Sequence, residues 1–261
     1  MFEFYKYHSN GNDFIIIDDR NNKISFDNNF IEKLCSRNFS IGADGLVLLK
    51  ESKNFDYKMQ FFNSDGYEAD MCGNALLSFT KFLYDHIEKK KIYNIETKKS
   101  FYKTFYKNNK VSFLSKIPTL LIKDFFIDKF NLMLDLFDSG VIHGVIFQKN
   151  IGKINLDLIG KEIRNLKQIH QNGLNVNFLE KIDDNFYVRT YEKGVEKETL
   201  CCSTGALAAA QKLFLQNEDL KKIDLNFKGG IIIVEREKEF LKLSSKPSFA
   251  FQGVFNTFLN S

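Results

Sequence analysis

The 261-residue chain has no tryptophan, two prolines and only four cysteines, and each scarcity excludes something. The cysteines are Cys35, Cys72, Cys201 and Cys202; two are adjacent and none forms a C-x-x-C pair. That rules out a disulfide framework and points to reduced thiols in a cytoplasmic protein. His8, His86, His143 and His170 stand at no recognisable ligand spacing from the cysteines, so no metal site is expected. No stretch approaches 18 uninterrupted apolar residues, which argues against a membrane span. Met1-Phe2-Glu3-Phe4-Tyr5-Lys6 lacks a basic segment followed by an apolar run, so no signal peptide is expected. The densest basic run, Lys89-Lys90-Lys91 with Lys98-Lys99 after it, reads as a solvated helix end and loop. No stripe of cations interleaves with aromatics, so no nucleic-acid partner is expected. What remains, 44% hydrophobic and 27% charged residues with a net charge of +4, describes a globular protein of one large or two medium domains.

Comparing the chain with itself is the informative step. A shift of 130 residues brings Cys72 onto Cys202 without a gap, with Tyr57 on Tyr187, Glu68 on Glu198, Leu77 on Leu207 and Leu83 on Leu213. Each copy runs from a β-rich segment (57–63; 187–193) through a polar turn carrying a glutamate to the cysteine. Small polar residues (Gly73-Asn74; Ser203-Thr204) and an apolar helical stretch (75–84; 206–215) follow. The same shift sets Tyr7-His8-Ser9 on Phe137-Asp138-Ser139, ahead of strands at 14–17 and 144–148. The expected fold is α/β (α+β): two pseudo-symmetric halves, each with strands wrapped around a central helix, and an active site in the cleft between them. The expected halves are residues 1–117 plus 249–261, carrying Cys72, and 118–248, carrying Cys202. The crossing is placed at Ser115 to Thr119, and the apolar tail Phe249 to Phe258 is expected to return to the first half.

A cysteine just before a helix lies beside free backbone N–H groups and the positive end of the helix dipole, which stabilise a thiolate. The same N–H groups can hold a carboxylate. Two such units related by approximate two-fold symmetry would put thiols on opposite sides of one cleft. A carbon acid held there can lose its proton to one sulfur and regain one from the other, which inverts the stereocentre. A thiol tuned downwards from its reference pKa of about 8.5 suits this role near neutral pH. Cys35, and Cys201 whose counterpart is Met71, read as small buried apolar residues. A cysteine hydrolase would need one cysteine with a histidine base and leaves the second unexplained.

Several segments carry a family resemblance. Tyr7-His8-Ser9-Asn10-Gly11-Asn12-Asp13-Phe14 resembles the H-x-x-G-N-D-F opening of diaminopimelate epimerases, and Ile41-Gly42-Ala43-Asp44-Gly45 their I-G-x-D-G element. Asn63-Ser64-Asp65-Gly66 through Met71-Cys72-Gly73-Asn74 is similar to N-x-D-G-x-x-x-x-M-C-G-N, and Asn175-Val176-Asn177-Phe178 to N-x-N-F. Thr190-Tyr191-Glu192-Lys193-Gly194 through Glu198-Thr199-Leu200-Cys201-Cys202-Ser203-Thr204-Gly205 resembles Y-E-R-G…E-T-L-A-C-G-T-G. The resemblance implies an isomerase that interconverts LL- and meso-diaminopimelate without a cofactor, for lysine and peptidoglycan synthesis, and acts as a homodimer. It implies Cys72 and Cys202 as the two bases and His143 and Glu192 as groups that tune them. Asn12, Asn63, Asn175, Glu192 and Lys193 would contact the substrate, with Gly73, Asn74, Ser203 and Thr204 around its α-carboxylate.

The chain departs from the pattern in four places. Lys193 replaces the arginine expected to grip the distal carboxylate, keeping the charge but losing the bidentate fork. Ala75 and Ser203 replace glycines, Leu77 replaces an arginine, and Val141-Ile142-His143 lacks the proline usual before the histidine. A related two-cysteine racemase acting on another amino acid is the alternative; a non-catalytic binding protein would be favoured by loss of a thiol, and both are present.

Overall fold

The structure is a computed structural model, and it describes residues 1–22 and 24–256. Positions 23 and 257–261, part of the expected first half and its tail, lie outside the described residues. The chain divides into two compact units, Met1–Phe113 with Ser245–Ser261, and Leu114–Ser244. Their elements alternate in the same order. The first 113 residues contain β1 (Phe2–Ser9), β2 (Asn12–Asp18), α1 (Asn28–Cys35), β3 (Gly45–Lys50), β4 (Tyr57–Asn63) and β5 (Glu68–Ala69). They continue with α2 (Gly73–Phe82), β6 (Ile92–Glu96), β7 (Phe101–Lys107) and the start of β8 (Lys110–Lys116). The second unit holds β9 (Thr119–Ile127), β10 (Leu132–Asp138), β11 (Ile142–Phe147), α3 (Leu156–Arg164) and β12 (Asn175–Ile182). It then runs through β13 (Asn185–Glu192), β14 (Lys197–Thr199), α4 (Ser203–Gln216), β15 (Lys222–Phe227), β16 (Gly230–Arg236) and β17 (Phe240–Ser245). The last strand, β18 (Ser248–Phe255), pairs antiparallel with β1 in the first unit, as β9 does with β10 in the second.

The pairing repeats strand for strand. In the first unit β1–β2 is antiparallel, β2–β3 parallel, β3–β4 antiparallel and β4–β6 parallel. The second repeats this with β10–β11, β11–β12, β12–β13 and β13–β15. In each, a mostly apolar helix is surrounded. All of α2 from Gly73 to Thr80, and Phe82, is buried, and it packs on β1, β2, β4 and β7. In α4, Gly205 to Phe214 are buried against β10, β11, β12, β13 and β16. A helix apolar on every face has to be enclosed in this way. The expectation of two halves with strands around a central helix therefore holds. The outer helices are amphipathic instead: α1 buries Ile31, Leu34 and Cys35 beneath an Asp27 cap, and α3 buries Leu156, Gly160 and Ile163 beneath an Asn155 cap. Among the described residues no helix is long and apolar enough to cross a membrane.

Strand register corrects the gap-free alignment. Tyr7 faces Phe14 in β2, whereas Phe137, its counterpart, faces His143 in β11. The turn between β10 and β11 is one residue shorter, so β2 corresponds to β11 at a shift of 129. Similarly Tyr57 pairs with Ile95 while Phe186 pairs with Leu225, so the counterpart of Tyr57 is Phe186 and not Tyr187. Loops absorb the missing residue and the outer elements return to the shift of 130.

The halves also fill one place differently. In the first, Tyr5 and Phe82 rings meet at 5.0 Å. The corresponding Asp135 and Lys212 form a buried ion pair, and Asp135 also accepts the Asp124 N–H at 2.8 Å. Removing one partner from such a pair leaves an uncompensated charge. Lys212→Met should therefore lower the unfolding free energy by about 3–5 kcal/mol, and adding Asp135→Asn should restore part of the loss. Urea unfolding of both variants checks this; a double variant whose loss is the sum of two large single losses would show that the two charges do not interact.

Candidate functional site

Cys72 is the N-cap residue of α2, with extended backbone (φ −132°, ψ 124°), and is half-buried. Its Sγ donates towards Asn12 Oδ1 at 3.8 Å, and Asn74 Nδ2 donates to the same oxygen at 3.2 Å. Asn12 is held from behind: its Nδ2 donates to Asp44 at 2.7 Å. Asp44 in turn is bound by Arg37 at 2.6 Å, which also reaches Asp13, and Asp13 pairs with Lys6 at 2.8 Å. Burial works to raise the Asp13 carboxyl, but hydrogen bonds from Arg37 and Lys6 outweigh it and hold it at about 2. Gly73 and Asn74 are buried in the first turn of α2. Asn63 ends β4 as an exposed residue, with its N–H on the Tyr67 carbonyl.

Cys202 is the N-cap of α4 with nearly the same backbone (φ −128°, ψ 116°), and is buried. Its Sγ accepts the Gly205 N–H at 3.4 Å and lies 3.4 Å from Thr204 Oγ1. Thr204 Oγ1 is 2.9 Å from His143 Nε2, so the structure brings Cys202, Thr204 and His143 into one chain. Ser203 is buried beside them. Glu192, at the end of β13, accepts the Thr199 hydroxyl at 2.5 Å. Asn175 Nδ2 donates to the Ile142 carbonyl at 3.1 Å, and its Oδ1 accepts the Lys193 N–H at 2.9 Å. The Lys193 side chain is exposed.

The thiol at Cys202 does not follow the expectation of downward tuning. Burial pushes it well above its ordinary range, and the nearby Glu192 charge pushes the same way. The Thr204 and Gly205 hydrogen bonds act in the other direction without overcoming burial. Cys35 is pushed up to about 12, again by burial, as befits a residue packed in the core. None of the four cysteines forms a disulfide, and among the described residues no three His, Cys, Asp or Glu side chains are grouped to hold a metal ion.

Motif reading overlooked Lys6 and Arg37, whose ion pairs hold Asn12 through Asp13 and Asp44, and the buried Asn177 and Thr190 behind His143. Asn177 and Asn175 are polar residues alternating along a strand whose first six residues are buried, and that pattern was the available signal.

The fold is shared with solved structures of distantly similar sequence. A phenazine biosynthesis protein of the PhzF family from Bacillus anthracis superposes with a TM-score of 0.76 at 14% identity, covering 97% of this chain and 98% of its own. A probable proline racemase from Agrobacterium radiobacter gives 0.75 at 13% identity, over 98% and 93%. The family model for diaminopimelate epimerase matches residues 4–113. The diaminopimelate epimerase of Methanocella arvoryzae is 37% identical over 80% of both chains, and that of Clostridium perfringens 34% identical over 97% of this chain and 99% of its own. The chain belongs to the diaminopimelate epimerase family of isomerases.

Burial pushes the fully enclosed His143 imidazole down to about 3. The unfolded chain takes up that proton near pH 6.5, so His143 contributes its full stability above that pH. The contribution is lost as pH falls towards 3, at up to about 1.4 kcal/mol per pH unit. His143 should therefore stay neutral at pH 4.5 while the protein is folded. A histidine NMR titration checks this, and a midpoint near 6.5 for His143 in the folded protein would contradict the buried neutral state.

Proposed function

We propose that this protein interconverts LL- and meso-diaminopimelate by moving the α-proton between Cys72 and Cys202, and that it needs no cofactor for this. The observation that carries the reading is the repeated placement of a cysteine at the N-cap of each buried central helix, in a chain of this family. Gly73-Asn74 and Ser203-Thr204 open the two helices, where backbone N–H groups suit a carboxylate. The chemistry requires one thiolate to remove the proton while the other thiol returns one to the opposite face of the same carbon. No proton is lost overall, and the two sulfurs exchange protonation states in each turnover.

The other assignments follow from that reading. Asn12 already presents a fixed amide beside Cys72, and Asn175 lies next to Lys193 through its backbone, so both suit the polar ends of the substrate. Asn63 and Glu192 complete the proposed contacts, Glu192 and His143 acting also on the thiol of Cys202. A cytoplasmic location rests on the reduced thiols read from the cysteine pattern, and a homodimer on the family resemblance; light scattering on the purified protein tests the dimer. Lys193 favours keeping a second reading, an epimerase for a different amino acid. A monocarboxylic substrate has no need of a cation at that place.

Proton NMR in deuterated water, with purified protein and LL-diaminopimelate, tests the reaction by reporting α-proton exchange and the stereoisomer formed. Cys72→Ser and Cys202→Ser should each lower epimerisation by several orders of magnitude, because a hydroxyl is a far poorer base. Cys35→Ser should leave it nearly intact, and full activity in either of the first two variants would end the two-thiol mechanism. Lysine in place of arginine forgoes one charge-assisted hydrogen bond, roughly 1.5–3 kcal/mol, or about tenfold to a hundredfold in affinity. Lys193→Arg should thus lower the KM for diaminopimelate, and Lys193→Ala should raise it far more than for any monocarboxylic amino acid. If kcat/KM for diaminopimelate is unchanged in Lys193→Ala, the second reading is preferred.

A further inference from the structure

Behind Cys202 stands a column of polar side chains that the proposed reaction does not itself require. Thr190 on β13 and Asn177 and His143 on β12 and β11 are fully buried, and they meet in sequence. Thr190 Oγ1 donates to Asn177 Oδ1 at 2.9 Å, Asn177 Nδ2 is 2.9 Å from His143 Nδ1, and His143 Nε2 is 2.9 Å from Thr204 Oγ1. Thr204 Oγ1 ends the series 3.4 Å from Cys202 Sγ.

The direction of every link can be deduced. Asn177 Nδ2 also lies 3.1 Å from the Gly144 carbonyl, which can only accept, so the amide group facing it is the NH2. The same NH2 faces His143 Nδ1, so that nitrogen must carry its lone pair. The proton of the neutral ring is then on Nε2, which donates to Thr204 Oγ1. With its oxygen accepting from histidine, the Thr204 hydroxyl has its own hydrogen free to point at sulfur. Thr190, Asn177, His143 and Thr204 thus all donate towards Cys202. An amide cannot pass a proton along such a chain at ordinary pH, so the column polarises the thiol and does not conduct its proton.

The corresponding positions of the first half are apolar. Ile16 pairs with Val47 and Val47 with Phe61, where Val145 pairs with Asn177 and Asn177 with Thr190. The positions of His143, Asn177 and Thr190 are therefore held by Phe14, Val47 and Phe61, and the two phenylalanine rings pack edge-on at 5.9 Å. Gly205, where the first half has Ala75, is what lets the column reach the helix. A Cβ on residue 205 would come within 2.4 Å of Asn177 Oδ1.

We infer that Asn177 is a positioning residue that locks His143 in its Nε2–H form, so that a one-way hydrogen-bond chain stabilises the thiolate of Cys202. Its role in catalysis rests on the two-thiol reading, but the chain itself does not. Among the described residues, Glu192 on β13 and the neighbouring Cys201 act on Cys202 by charge, Thr204 and the Gly205 N–H hydrogen-bond to it, and His143 reaches it through Thr204. Glu192 and burial oppose a thiolate there, and neutral donors aimed at sulfur offset them without adding a buried charge.

The test needs no substrate. Nitrogen-15 NMR of histidine in the intact protein should show His143 as the Nε2–H tautomer, and Asn177→Asp, which puts an acceptor at Nδ1, should move the proton to Nδ1. Alkylation by a small neutral reagent, followed residue by residue with mass spectrometry across pH, reads the two thiols separately. Asn177→Asp and Thr204→Val should each slow Cys202 about tenfold at neutral pH, moving its midpoint up by about one pH unit. Thr204→Ser, which keeps the hydroxyl, should keep the native alkylation profile of Cys202. Thr204→Val leaves the buried column intact, so the test survives if Asn177→Asp does not fold. An Nδ1–H tautomer in the native protein, or an unshifted Cys202 profile in Thr204→Val, would overturn the inference. Failure to exchange diaminopimelate protons with these thiol results intact would overturn the proposed function alone.

Discussion

Burial of α2 and α4 on every side is the constraint on which the rest of each half depends. A helix with apolar or small residues all around its surface cannot lie on a sheet with one face in water. The strands of each half must therefore enclose it, and they do so in the same order and with the same parallel and antiparallel pairings. Enclosure leaves the first turn of the helix, whose N–H groups have no partner within the helix, as the part where backbone polarity is concentrated. Each cysteine sits at that turn. The position of the thiols is thus a consequence of how the cores are built.

Sharing a plan has not made the halves alike. Where the first half stacks Tyr5 on Phe82 and Phe14 on Phe61, the second has the Asp135–Lys212 pair and the His143–Asn177–Thr190 column. Both polar sets are buried, and a buried polar group is tolerable only when its partners are in place. Here each one is met. An isologous aromatic core would be simpler to pack, so the polar version has the rigidity of fixed hydrogen-bond directions as its physical return. The polarity of the first half lies elsewhere, in the Lys6–Asp13–Arg37–Asp44 ion pairs that hold Asn12 beside Cys72.

The two cysteines consequently have different surroundings. Cys72 is half-buried and donates towards an amide oxygen, whereas Cys202 is buried and surrounded by donors. Under the proposed mechanism each sulfur is acid in one direction and base in the other, and unlike surroundings give the two thiols different acidities. The one-residue shift between β2 and β11 is part of this, since it is what sets a histidine where the first half has Phe14.

By itself the sequence determined the duplication, the all-round apolar helices with a cysteine before each, and the family motifs, because these are local patterns of residue type and spacing. Tertiary structure alone decided which strand residues stand opposite one another. A turn shorter by one residue leaves no mark on composition, yet it moved Phe186 under Tyr57's place and His143 under Phe14's. Nor could spacing reveal that Thr190, Asn177, His143 and Thr204 join, since they come from three strands and a helix and meet only when the sheet closes on α4. The direction of the Cys202 shift was likewise beyond the sequence. The N-terminal end of a helix favours a thiolate and burial opposes it, and only the packed structure sets how deeply the sulfur is covered.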